Sequence, residues 1–183
     1  MRIFQVDAFT DRLFSGNPAA VIPLDEWLPD DTMQRIAAEN NLSETAYLVP
    51  QGEDFEIRWF TPAVEVKLCG HATLASAHVI FHHLDFPGET IRMHSKSGLL
   101  TVTETDGFLK LNFPAVKSEP MAMPRGLEEA LGAAPTMVYK SDDLLAVFNS
   151  EADIRSLQPD FALLKKLDAR GIIVTAPGEE HDF

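Results

Sequence analysis

Thiols are nearly absent from this chain, which has a single cysteine, Cys69. That excludes an intrachain disulfide and a zinc site built from several thiolates, and it fits a reducing compartment. Long apolar runs are missing too, since nothing approaches the roughly 20 residues that a membrane helix needs. The opening residues, Met1-Arg2-Ile3-Phe4-Gln5-Val6-Asp7, meet an acid too early for a secretory signal. These absences predict a cytoplasmic protein with no membrane partner. Positive charge is scarce, with 15 Lys and Arg against 28 Asp and Glu, a formal charge of −13. Such a field repels nucleic acid, so any anionic ligand must be held by local donors. There is no Walker loop, no Gly-x-Gly-x-x-Gly, no Gly-x-Ser-x-Gly and no basic patch with interleaved aromatics. No organic cofactor is implied.

What is present is an ordinary globular composition, 45% apolar and 23% charged over 183 residues, enough for one sizeable domain or two small ones. Ile3 to Phe9 and Ala19 to Ile22 read as strands joined by a turn through Ser15-Gly16-Asn17-Pro18. Pro29-Asp30-Asp31 supplies an N-cap and first-turn acids for a helix that stops at Asn40-Asn41. Thr45 to Val49 is a strand. Phe55, Ile57 and Trp59 alternate with Glu56, Arg58 and Phe60, the period of a half-buried strand ending at Pro62. From Gly70 or His71 the pattern becomes helical, and Ala72, Ala75, Ser76 and Ala77 predict a closely packed central helix at about 71–83.

Leu99 to Thr105 and Phe108 to Phe113 flank Asp106-Gly107, a hairpin signal. Pro114 to Pro124 reads as a connection between domains. Beyond Gly132 the order of elements starts again. Met137 to Lys140 and Leu144 to Phe148 are paired strands, Pro159 to Leu167 a helix and Gly171 to Ala176 a strand. The closing Gly178-Glu179-Glu180-His181-Asp182-Phe183 is similar to Gly52-Glu53-Asp54-Phe55. The expected organisation is a first domain over 1–115 and a partial second over 125–183 that lacks its central helix. A unit so small, without that helix, is expected to leave apolar strand faces uncovered, to be covered by another chain or by further sequence.

The motifs Ser15-Gly16-Asn17-Pro18, Asn41-Leu42-Ser43-Glu44-Thr45 and Phe60-Thr61-Pro62 through Cys69-Gly70-His71-Ala72-Thr73 resemble those of the phenazine-biosynthesis PhzF-like family. The resemblance implies an α/β (α+β) diaminopimelate epimerase-like fold, a sheet wrapped around a central helix and pseudo-repeated in two domains, here with the second copy incomplete. It implies a cofactor-independent isomerase for a small carboxylated metabolite, usually a homodimer. Family members are longer and carry an Asp-Pro-Val-Thr-Gly-Ser-type motif at a second central helix. This chain has no such motif.

Chemically, Glu44 suits a general base that takes a C–H proton and returns it elsewhere, if partial burial raises its pKa. In the resembling family the matching glutamate has this role. A solvated carboxylate at a helix-to-strand junction is the plainer reading. His71 lies in the first helical turn, where the dipole disfavours imidazolium, so a neutral histidine is expected to contact substrate or shuttle a proton. A simple N-terminal cap is its plainer role. Free N–H groups of Gly70, His71, Ala72 and Thr73 offer a seat for a carboxylate, with Gly70 lacking the Cβ that would block approach. Asn17 is a further substrate donor, although Asn-Pro in a turn needs no function.

Cys69 raises the rival of a racemase acting through thiols, its pKa lowered by the helix N-terminus. Two-thiol racemisation needs a second cysteine, so Cys69 reads instead as a small buried residue. A truncated, non-catalytic ligand- or partner-binding protein is the other alternative. His71, His78 and His82 share a stripe, but His71 is about 10 Å along the axis from His78. No metal centre is therefore expected. His82 and His83 are explained as charges at a helix C-terminus.

Overall fold

The structure, a computed structural model, describes residues 1–12 and 14–179. The chain divides into two compact units, Met1–Pro114 and Ala115–Phe183. Unit 1 runs β1 (Phe4–Ala8), β2 (Asn17–Pro23), α1 (Asp30–Asn40), β3 (Glu44–Gln51), β4 (Asp54–Phe60), β5 (Glu65–Val66), α2 (Gly70–His83), β6 (Thr90–Ser95), β7 (Gly98–Thr105) and β8 (Phe108–Asn112).

Its strands form one mixed sheet in the order β1-β2-β3-β4-β6-β7-β8, with β5 paired to β4. Laid flat, six inter-strand steps of roughly 4.8 Å would put β1 and β8 about 29 Å apart. Helix α2 nevertheless packs on β1, β2 and β3 and also on β8. The sheet therefore curls around the helix. The small residues Ala72, Ala75, Ser76 and Ala77, all buried, are what let strands approach the helix on several sides. Ser76 is satisfied there by donating to the Ala72 carbonyl at 2.7 Å.

Alternation decides which strand residues meet α2. Ala46 and Leu48 of β3, Ile57 and Trp59 of β4, and Ile91 and Met93 of β6 join the cluster around the helix. On the opposite face Tyr47 and Phe60 pack with Ile22, Met33 and Ala37 beneath α1. Phe60 was expected on a polar face and is buried instead, because α1 covers that side of β4. No side chain caps α1 at Pro29. Asp30 and Asp31 lie in its first turn as expected, and Asp30 also accepts from Arg58 at 2.8 Å. Asn41, in the left-handed conformation, ends that helix as expected.

Unit 2 contains β9 (Glu119–Met121), α3 (Leu127–Leu131), β10 (Met137–Lys140), β11 (Leu144–Val147), α4 (Glu151–Ser156), α5 (Phe161–Leu164) and β12 (Ile172–Thr175). The connecting segment expected over Pro114 to Pro124 thus includes a short strand, held by pairing with β10. The helix expected from Pro159 to Leu167 narrows to α5, capped by the Asp160 carboxylate. Before it stands α4, whose Ser150–Asp153 capping box is a local signal passed over in the sequence.

Strand pairing repeats between the units. β1 and β2 pair antiparallel and β2 and β3 parallel, while β10 and β11 pair antiparallel and β11 and β12 parallel. In unit 1 that three-strand face carries α2. In unit 2 a groove of about 710 Å³ runs beside Leu145, Ile154, Ile173 and Val174, and Ile173 is 52% exposed. The expected repeat of Gly52-Glu53-Asp54-Phe55 at the end of the chain falls, from Glu180 onward, outside the described residues.

Candidate active site

Glu44 reaches its position through a short turn. Asn41 ends α1, two residues follow, and Glu44 begins β3 beside Ala19 of the parallel strand β2. The junction is fastened by Asn40, whose amide donates to Thr45 Oγ1 at 3.1 Å. Thr45 is fully buried on the α1 side. Strand alternation therefore turns Glu44, like Ala46 and Leu48, toward α2.

The helix supplies the partner groups. Cys69 is the N-cap residue in extended conformation, and no side chain caps this end of α2. His71 Nε2 lies 3.4 Å from Glu44 Oε2, with the two side chains 9% and 19% exposed. That distance allows electrostatic attraction, yet Nε2 is fully buried and makes no hydrogen bond of good geometry with any protein group. On the other edge of the ring, Nδ1 lies 3.5 Å from Cys69 Sγ. Glu44, Cys69 and His71 thus form one compact group beneath the opening of α2.

Burial pushes the Cys69 thiol up to about 12; the nearby Ala72 N–H opposes this, and the Glu44 carboxylate adds to it by its charge and as a hydrogen-bond acceptor for the thiol. The helix N-terminus was expected to lower this pKa, but desolvation of a thiolate in the core is the larger effect. A protonated thiol is a poor nucleophile, which weighs against the thiol racemase reading.

The remaining expected residues behave differently from one another. Gly70 opens α2, and a Cβ there would meet the Phe113 ring closely, at 3.3 Å. Packing against Phe113 is thus one physical reason for the missing side chain. Thr73 is fully buried and its hydroxyl donates to the Cys69 carbonyl at 2.5 Å, while Ala72 is in the core. These two residues have only backbone N–H groups to offer a ligand. Asn17 begins β2, two residues before the register partner of Glu44, and is half-buried.

Among the described residues, Glu44, Cys69 and His71 are the group whose donor atoms, all within 4.8 Å of one another, have the composition of a metal site. Binding an ion there would require the buried thiol to lose its proton. His78 and His82 do not join this group. His82 Nε2 lies 3.2 Å from Glu104 Oε1, and the His78 ring stands 4.5 Å from that of His82. Burial, with help from His82 and His83, holds the His78 pKa below its ordinary value.

What the sequence reading missed is the role of Cys69 as a neighbour of His71. The signal was their spacing of two residues across a helix start, where an extended N-cap residue can meet a side chain of the first turn.

Comparison with known proteins gives a consistent result. The family model described as phenazine biosynthesis-like protein matches residues 6–182. Two uncharacterized isomerases of Pseudomonas aeruginosa are 54% and 53% identical to the chain over its whole length, which covers 71% and 70% of theirs. The crystal structure of a PhzF-family phenazine biosynthesis protein from Enterococcus faecalis superposes with a TM-score of 0.92 at 45% identity. That match covers 98% of this chain and 70% of the other. No described helix is long and apolar enough to cross a membrane.

Proposed function

The chain belongs to the phenazine biosynthesis-like family, and from that premise we propose that it is a cofactor-independent isomerase moving a proton on a small carboxylated metabolite. Its fold is diaminopimelate epimerase-like, with the sheet of unit 1 curled around α2 and its strand pattern repeated in unit 2. The observation that carries the reading is the pair Glu44 and His71, two acid/base groups 3.4 Å apart in a largely buried place at an uncapped helix start.

Glu44, as the carboxylate, takes the proton from a substrate carbon and delivers it to another position. His71 Nε2, which has no partner of good geometry, is free to donate to the substrate or to relay the proton. The N–H groups of the first turn of α2, with Asn17 nearby, seat the substrate carboxylate, so that binding offsets the repulsion of the acidic surface. A cytoplasmic, homodimeric protein completes the proposal. A solution molar mass of twice the 20.3 kDa chain supports the dimer, and a single-chain mass overturns it.

The test is hydrogen exchange on carbon. The protein is incubated with a pool of small carboxylated metabolites in heavy water, and deuterium uptake is read by mass spectrometry against a protein-free control. Uptake into one metabolite by the wild type, lost in Glu44→Gln, is expected. Uptake at the same rate by both proteins removes Glu44 as the base, and no uptake above the control moves the binding-protein alternative ahead.

A further inference from the structure

Neither thiolate chemistry nor simple filling of space accounts for Cys69, because its sulfur lies against a ring nitrogen. Nδ1 of His71 lies 3.5 Å from Sγ. Nε2 of the same ring lies 3.4 Å from a carboxylate oxygen of Glu44. These two contacts are on opposite edges of one imidazole, and together they determine where its proton resides.

A neutral imidazole has one N–H and one lone pair. If the lone pair were on Nε2, it would face the Glu44 carboxylate, two acceptors in a buried place with nothing between them. With the proton on Nε2, the ring instead presents a donor toward the carboxylate side. Nδ1 then holds the lone pair, and among the described residues the side chain against it is Cys69. The Thr73 hydroxyl is already used by the Cys69 carbonyl. A thiol has one proton to give, and burial keeps that proton on the sulfur. The Glu44 carboxylate is a second acceptor within reach of the sulfur, but it is also the acceptor that the Nε2 proton faces. A lone pair on Nδ1 has the thiol as its donor, so the donors run from the sulfur to Nδ1 and from Nε2 outward.

We propose that Cys69 is a positioning residue, whose S–H donates to His71 Nδ1 and holds the imidazole as the Nε2–H tautomer facing Glu44. The inference deepens the isomerase reading, since it gives His71 a fixed donor where the substrate is proposed to lie, and it rests on that reading only for its catalytic meaning. The thiol forms no covalent bond and needs no second cysteine. It does for the histidine what a carboxylate or carbonyl does elsewhere when it holds one nitrogen so that the other is ready, but with the opposite polarity.

The experiment is nuclear magnetic resonance of the full chain with isotopically labelled histidine, without ligand, at neutral pH. Long-range proton–nitrogen correlations distinguish an N–H nitrogen from a bare one in each ring. The expected wild-type result is that Nε2 of His71 is the protonated nitrogen and Nδ1 the bare one. In Cys69→Ala both resonances are expected to shift toward the average of the two tautomers, and Cys69→Ser, which restores a donor, to recover the wild-type pattern. A wild-type ring protonated on Nδ1, or on both nitrogens, overturns the proposal whatever the variants do. An unchanged tautomer in Cys69→Ala also overturns it. Because no substrate is present, an Nε2–H tautomer found together with no carbon exchange would refute the isomerase reading and leave this one standing.

Discussion

Glu44 Oε2 stands 3.4 Å from His71 Nε2, so the first residue of β3 meets the second residue of α2. Neither position is a matter of local chain geometry alone. The strand is placed by the left-handed stop at Asn41, and the helix by the curl of the sheet around its small-residue faces. Two acid/base groups are thereby held from separate elements, which is what pre-organised proton transfer requires.

Glu44→Gln is nearly isosteric and removes only the basic oxygen. General-base catalysis typically contributes about 100- to 10,000-fold, and a loss of carbon exchange within that range is expected. Glu44 is partly exposed and Gln keeps its volume and an acceptor oxygen, so the thermal midpoint should stay within a few degrees of wild type. Wild-type exchange in the variant would remove the assignment. A collapse of the melting transition would show instead that the carboxylate is structural.

Chelation separates the proton-transfer reading from a metal one. Glu44, Cys69 and His71 have the composition of an ion site, but the thiol is held protonated by burial. Prolonged dialysis against a strong chelator is therefore expected to leave the exchange rate unchanged. If chelation abolished exchange and zinc restored it, the three residues would be ligands, and Glu44 would act through the metal.

At Gly70 the expected effect is on stability. A Cβ there would come 3.3 Å from Phe113 Cε2, and Phe113 packs against the main core. Gly70→Ala should cost about 1 kcal/mol by overpacking despite the better helix propensity of alanine. In a Phe113→Leu background the same change should be neutral or stabilising, a coupling of about 1 kcal/mol in urea unfolding. Equal effects in both backgrounds would mean that the ring does not limit this position.

The sequence made the first half of this arrangement legible and the second half less so. Glu44, Gly70 and His71 were readable because each sits at a boundary signal, a helix stop or a helix start, and the family resemblance joined the motifs. The period of two exposed the β4 strand through Ile57 and Trp59, and the small residues of α2 announced a crowded helix. Phe60 misled because a strand near its end is covered on both faces, which depends on where α1 lies. Cys69 is buried as expected, but the direction of its pKa was not legible, because helix-dipole reasoning is local whereas the desolvation that governs its proton comes from residues distant in sequence. β9 was hidden because only pairing with β10 makes it a strand.

Arg58 and Glu65 supply a pH test of the frame that leads into α2. The guanidinium donates to both carboxylate oxygens of Glu65 at 2.8 Å, and both side chains are mostly buried. The Arg58 hydrogen bonds lower the Glu65 pKa, burial opposes them, and Lys96 adds to the lowering. A carboxylate whose folded pKa is depressed stabilises the fold above its unfolded pKa, near 4.3, and loses that contribution as pH falls through the folded value. Glu65→Gln is therefore expected to cost about 2 kcal/mol at neutral pH, between the values for exposed and fully buried pairs. Its difference from wild type should shrink as the pH is lowered below about 4, because the wild type then protonates the same carboxylate. Urea unfolding of the two proteins at a series of pH values gives the result. A difference that stayed constant down to the acid limit would mean that the lowered pKa of Glu65 contributes nothing to stability, and that Arg58 is held by Asp30 alone.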